Sequence, residues 1–69
     1  MAFAFKYSDR DGAVTERTVE VNRFSAEHII GYCYLRRCRR TFRIDRIVND
    51  EVIDTTTGEV INAATGEVK

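Results

Sequence analysis

The chain opens with Phe3, Phe5 and Tyr7 alternating against Ala2, Ala4 and Lys6, the two-residue period of a strand with one aromatic face. Asp9-Arg10-Asp11-Gly12 follows. These are turn formers, with Gly12 free to take a positive φ, so a hairpin leads into a second strand over residues 13–23. There Val19 and Val21 share a face with Thr15 and Arg17, while Glu16, Thr18, Glu20 and Asn22 take the other. Phe24 to Glu27 breaks the alternation. Ser25 suits the cap of one helical turn, but nothing at helical spacing follows, and the segment reads as a connector.

Residues 28–35, His-Ile-Ile-Gly-Tyr-Cys-Tyr-Leu, form an apolar run suited to a strand buried on both faces. Gly31 inside it marks a bend or a close backbone approach. Arg36 to Arg39 are then the expected hairpin tip, and Arg40 to Val48 the returning strand. From Glu51 the chain carries an eight-residue echo, Glu51-Val52, Glu59-Val60 and Glu67-Val68, with Thr57-Gly58 and Thr65-Gly66 before the last two. Each Thr-Gly predicts a turn before a short β segment, and so a small meander. Residues 62–69 are expected to fray.

Five short strands, tight turns and no sustained helical pattern predict an all-β fold. With too few residues for two separate sheets, the expected form is a small antiparallel five-stranded barrel, one domain spanning residues 1–61. The length of 69 residues agrees, since a chain of this size buries only roughly 60% of its unfolded surface and has a thin core. A hydrophobic content of 43% and the absence of proline argue for an ordered globule.

No apolar run approaches the roughly 18 to 20 residues that cross a bilayer, so no membrane partner is expected and the cytoplasm is the expected location. Cys33 and Cys38 are the two cysteines and His28 the one histidine, too few soft ligands for a zinc set. A bridge between the cysteines is conceivable across a hairpin, but free thiols are the expected state. Neither metal nor cofactor is expected.

Charge changes the picture most. The chain is formally neutral, yet six of its 11 basic residues lie between Arg36 and Arg46, while from Asp50 onward five acidic residues face one lysine. Such polarisation gives the middle of the chain a local anion-attracting field.

The line FKYSDRDG…TERTVEV…GYCYLRRCRRTFRIDRI resembles the WYL domain family, whose members combine an Arg-Thr-Val-Glu type strand with a later Arg-X-Phe-Arg-X-Asp-Arg-Ile strand. The resemblance runs from about Phe5 to Ile47. It implies an Sm-like, or Src-homology-3-like, β-barrel. It also implies a regulatory role, since WYL domains commonly follow a helix-turn-helix reader in bacterial transcription regulators, where they sense nucleic-acid-like ligands. The sequence departs from the family at the name-giving triplet: Glu27, His28 and Ile29 stand where Trp, Tyr and Leu are usual. Ligand recognition there is expected to be altered or lost.

Guanidinium groups on a rigid sheet fork onto phosphate oxygens and stack on bases. Arg40, Arg43 and Arg46 are therefore the candidate ligand-binding arginines, joined by Tyr34 near the tip and by His28. The ordinary alternative pairs these arginines with Glu16, Glu20 or Asp45 across the sheet. Strict alternation sets Arg43 opposite Phe42 and Ile44, and sets Arg40 and Arg46 on their side. Ile47 then falls on the wrong face unless the chain bends near Asp45; without a bend Arg46 is a buried structural residue. Arg36, Arg37 and Arg39 are expected as solvated turn charges that steer anions, and Tyr32 is assigned to the core. His28 and Cys33 fall on different faces and no Ser/His/Asp arrangement is readable, so an enzyme is not expected.

The resulting expectation is a non-enzymatic regulatory module that binds single-stranded nucleic acid or a nucleotide through the arginine-rich ribbon. The alternative is a protein-interaction or homodimerisation module, with an acidic regulatory protein or a second copy of the chain as partner.

Overall fold

In the computed structural model, which describes residues 1–68, the alternating start of the chain is strand β1 (Ala2–Ser8), with Phe3, Phe5 and Tyr7 buried on one face. The Asp9 carboxylate accepts from the backbone N–H groups of Asp11 (2.9 Å) and Ala13 (3.0 Å), and Gly12 takes φ +84°. This is the expected tight turn. It leads into β2 (Val14–Phe24), paired antiparallel with β1 from Ala2↔Glu20 to Ser8↔Val14. The connector closes through Ser25, whose Oγ accepts from the His28 N–H and whose N–H and O–H both donate to the His28 carbonyl.

Strand β3 (His28–Cys33) runs back along β2, and the register slips between Val21 and Arg23. Gly31 sits against the shift. A Cβ at this position would lie 2.2 Å from the Glu20 carbonyl oxygen, so only glycine permits this approach of the two backbones. Contrary to the reading of 28–35 as buried on both faces, only Ile29, Gly31 and Cys33 are buried. The strand has one core face, because β3 and its neighbours present their other side to solvent.

The hairpin tip is Tyr34–Arg37, with Arg37 at φ 55°, and β4 (Cys38–Arg43) returns in register from Cys33↔Cys38 to His28↔Arg43. The returning strand does not continue to Val48. It ends in a 3-10 turn over Ile44–Arg46, which is the bend the alternation required near Asp45. The Ile44 N–H donates to the Glu27 carbonyl at 2.9 Å. This turn lets Ile44 and Ile47 both enter the core. Strand β5 (Ile47–Asp54) pairs with β1 on both sides of a kink, at Tyr7↔Ile47 and from Phe5↔Val52 to Phe3↔Asp54, and in the kink Asn49 and Asp50 take φ 57° and 54°, a conformation these residue types tolerate better than most.

The eight-residue echo is two copies of one turn. In the first, the Asp54 carbonyl accepts from the Gly58 N–H (2.7 Å), the Asp54 N–H donates to the Glu59 carbonyl (2.9 Å), and the Asp54 carboxylate holds the Thr56 N–H. In the second, Asn62 plays the same part toward Gly66, Glu67 and Ala64. Gly58 and Gly66 have φ of +77° and +79°. Between the turns lies β6 (Val60–Asn62), paired with β5, and after the second turn Val68 bridges Ile61. Residues 62–68 thus fold back on the sheet, with Ala63 buried and its N–H donating to the Asp50 carbonyl at 2.7 Å. Lys69, the last residue of the segment expected to fray, lies outside the described residues.

The architecture is all-β: one antiparallel sheet of six strands in the order β4-β3-β2-β1-β5-β6. It does not close into the expected five-stranded barrel, because the chain beyond β5 adds β6 as a sixth strand and an open edge. Phe42 packs edge-to-face on Phe5 (centroids 5.3 Å apart) and on Tyr7 (5.0 Å), and Phe3 on Phe24 (5.6 Å). Val19, Ile29, Cys33, Ile44, Ile47, Val52 and Ala63 complete the core. No helix among the described residues is long and apolar enough to cross a membrane.

Two stability outcomes follow from this packing. Gly31→Ala must push β2 and β3 apart and is expected to lose about 3 kcal/mol, a fall of roughly 12–24 °C in melting temperature for a domain of this size. Thermal circular dichroism checks it, and a variant melting with the parent would mean the strands separate at no cost. Deleting residues 62–69 removes Ala63 and the second turn, with an expected loss of about 2 kcal/mol, roughly 8–16 °C. Unchanged melting of the truncated chain would show that the second turn contributes nothing.

Candidate functional site

Sheet alternation divides the arginine-rich hairpin into two faces. The outer face carries His28, Ile30 and Tyr32 on β3, directly opposite Arg43, Thr41 and Arg39 on β4. The inner face carries Ile29, Cys33 and Phe42, all buried, together with Arg40. A ligand on the outer face therefore meets Arg39 and Arg43 but not Arg40.

Tyr32 is 41% exposed, not in the core as its apolar surroundings suggested. Its position on the outer face decides this, since the core lies beneath Gly31 and Cys33. Tyr34 continues the same face past the end of β3, where its N–H donates to the Thr18 carbonyl at 3.1 Å. The two tyrosine rings meet edge-to-face, 5.5 Å between centroids at 72°. Each keeps an accessible π surface, Tyr34 being 52% exposed. Tyr32 is flanked across the sheet by Arg39 on one side and Glu20 on the other. Glu20 is already engaged by the N-terminal ammonium at 3.3 Å.

The cross-strand carboxylate pairing that would make these arginines purely structural is formed only in part. Arg43 donates from Nη2 to Asp45 Oδ2 at 2.6 Å, an exposed pair within one strand end and the adjoining turn. Its backbone N–H donates to the Tyr7 hydroxyl at 3.1 Å. Arg36, Arg37 and Arg39 form no ion pair among the described residues and are exposed. The positive field of the tip is thus left unneutralised at close range. Arg40 is half-buried with its guanidinium 5.8 Å above the Phe42 ring, a cation–π contact at the rim of the core. Arg46 is half-buried on the 3-10 turn, away from the tyrosine pair in the sequence of elements.

His28 and Arg43 are brought together, but in poor company for an anion. Both line a shallow hollow of about 590 Å³ that also receives Glu27, Asp45 and Asp50. Three carboxylates against one guanidinium make it an acid-rich rim. Of the triplet at 27–29, Glu27 is exposed at this hollow, His28 is half-buried and Ile29 is a core residue. A second groove, of about 360 Å³ and bordered by Lys6, Glu16, Glu51 and Ile53, contains none of the residues expected to bind.

Two features were not foreseen. Arg39, expected only to steer, stands opposite Tyr32 within the aromatic face. Arg17, on the valine face of β2, is 3% exposed. Its Nε donates to Thr15 Oγ1 at 3.0 Å and its Nη1 approaches Cys33 Sγ at 3.9 Å. Its alternation with Val19 and Val21 was the signal. Burial pushes the Cys33 thiol up, but the backbone N–H of Arg36, the Arg17 guanidinium and the backbone N–H of Leu35 outweigh it and hold the thiol below its ordinary value.

Comparison with known proteins adds no relative: no family model matches the chain, and no curated protein and no solved structure matches it significantly.

Proposed function

We propose that the chain is a small non-enzymatic regulatory module that binds single-stranded nucleic acid or a nucleotide on the outer face of the β3–β4 hairpin. One observation carries the reading: the exposed, edge-to-face Tyr32–Tyr34 pair with the unpaired Arg39 directly across the sheet. Exposed aromatic rings beside guanidinium groups suit stacking on bases with phosphates held alongside, and Tyr32 and Arg39 are held on paired strands. Arg36 and Arg37 at the tip add the field that draws a polyanion in. In this reading bases stack on Tyr32 and Tyr34, Arg39 takes a phosphate, and Arg43 and His28 border the site with their affinity tempered by Asp45. An acidic protein would use the arginines but has less need of two open tyrosine rings. Binding rather than catalysis also agrees with the placement of His28 and Cys33 on opposite faces of β3.

The WYL resemblance belongs to the same proposal, with the sheet taken as an Sm-like barrel of five strands opened by the addition of β6. Supporting it is the packing of β4 onto β1 across the core, through Phe42 on Phe5 and Tyr7 and through the Arg43 N–H on the Tyr7 hydroxyl. A cytoplasmic setting, as in transcription regulation, is the corresponding proposal for location.

Fluorescence anisotropy with a labelled single-stranded oligonucleotide, read over a range of salt, tests the function. Tyr34→Ala is expected to weaken binding roughly 5- to 150-fold, the equivalent of about 1–3 kcal/mol per stacked base. Arg39→Ala is expected to flatten the logarithmic salt slope by about 0.7, and Arg40→Ala, on the inner face, to leave the slope unchanged. A parent protein with no salt-dependent binding to oligonucleotide or nucleotide overturns the reading and leaves the acidic-partner or self-association role in its place.

A further inference from the structure

The last residue pair of the β3–β4 hairpin, where the strands join through Tyr34–Arg37, is Cys33↔Cys38. Directly opposed residues of antiparallel strands project to the same side with Cα atoms about 4.5 or 5.5 Å apart. A disulfide spans about 4.4–6.8 Å. The backbone is therefore already within bridging range, whichever of the two pair types this is.

The two thiols are free and differ in their surroundings. Cys38 is exposed on an edge strand, open to a small oxidant. Cys33 is wholly buried, and what surrounds its sulfur is not only the apolar packing of an inert core cysteine: the Arg17 guanidinium lies at 3.9 Å, and with the backbone N–H groups of Arg36 and Leu35 it favours the charged form of the sulfur. A buried cation against the sulfur suits a thiolate.

We propose that Cys33 and Cys38 are a peroxide-responsive dithiol that closes the hairpin tip by an intrachain disulfide. The exposed Cys38 thiolate attacks one oxygen of hydrogen peroxide. The O–O bond breaks, hydroxide leaves and takes up a proton as water, and Cys38 becomes a sulfenic acid. The Cys33 thiolate, its proton released to solvent, then attacks the Cys38 sulfur. The S–S bond forms, the S–O bond breaks, and the departing hydroxide is protonated to a second water. In sum two thiols lose two hydrogens, and one peroxide is reduced to two waters. The lowered proton affinity of Cys33 favours the attacking thiolate. Arg17 is a positioning residue in this scheme, since it touches Cys33 and not the peroxide.

Treating the reduced protein with hydrogen peroxide and reading its intact mass tests the proposal. The expected product is a monomer lighter by two hydrogens, resistant to thiol alkylation after denaturation and restored by dithiothreitol. Cys38→Ser, at an exposed position, is expected to give no such monomer and to leave Cys33 alkylatable. Cys33→Ala is expected to accumulate a Cys38 sulfenic acid trapped by dimedone. Because Cys33 is buried and its replacement risks the fold, the parent and Cys38→Ser carry the decision. A parent whose thiols both stay alkylatable, one that forms disulfides only between chains, or one that runs straight to the sulfonic acid at Cys38 overturns it.

Discussion

The contact of Phe42 with Phe5 and Tyr7 is what the rest of the structure depends on. In the sheet order β4 stands three strand spacings from β1, about 14 Å in a flat sheet. Yet the rings of Phe42 and Tyr7 are 5.0 Å apart at their centroids. The sheet must therefore curl until its inner face folds onto itself, and a chain this small has no second layer to offer instead. The core side chains of β1 to β4 lie inside that curl. Within that span the pairing is irregular at the register shift between Val21 and Arg23, beside Gly31.

What was legible in the sequence was whatever local rules decide. The aromatic alternation of β1, the Asp9–Gly12 turn and the close approach at Gly31 all follow from side-chain period or from the special geometry of glycine and aspartate. The Thr-Gly echo was legible as turns. Its meander pairing was expected too, but the equivalence of Asp54 and Asn62 was not legible, because they differ in name while sharing a side-chain oxygen that holds the turn N–H groups. The 3-10 turn at Ile44–Arg46 was visible only as a conflict, in which Ile44 and Ile47 could not both face inward on a straight strand.

The site was less legible than the fold, for a physical reason. An apolar run does not say which of its faces meets the core, and Tyr32 looks like a core residue until the partners of β3 are known. Burial also depends on contacts far apart in sequence: Arg17 sits among valines and is hidden by the curl. The charge cluster itself was plain, and alternation already set Arg43 apart from Arg40 on the side of Phe42; the place of Arg39 opposite Tyr32 required the register. The acid-rich hollow beside His28 is likewise assembled from four separate stretches of chain.

That division ties the chemistry back to the register. Strand side chains alternate with a period of two, so a slip of one residue between β2 and β3 would turn Tyr32 inward and Cys33 outward. Gly31 forbids the slip, because any other residue brought under the Glu20 carbonyl would drive a Cβ into it. A single glycine thus fixes the register that presents two tyrosines to solvent and one thiol to Arg17. The exposed arginines then serve the sheet as well as any ligand. Charged side chains on an edge strand such as β4 oppose edge-to-edge pairing of copies of the chain, so the feature that attracts anions also keeps an open sheet from extending itself.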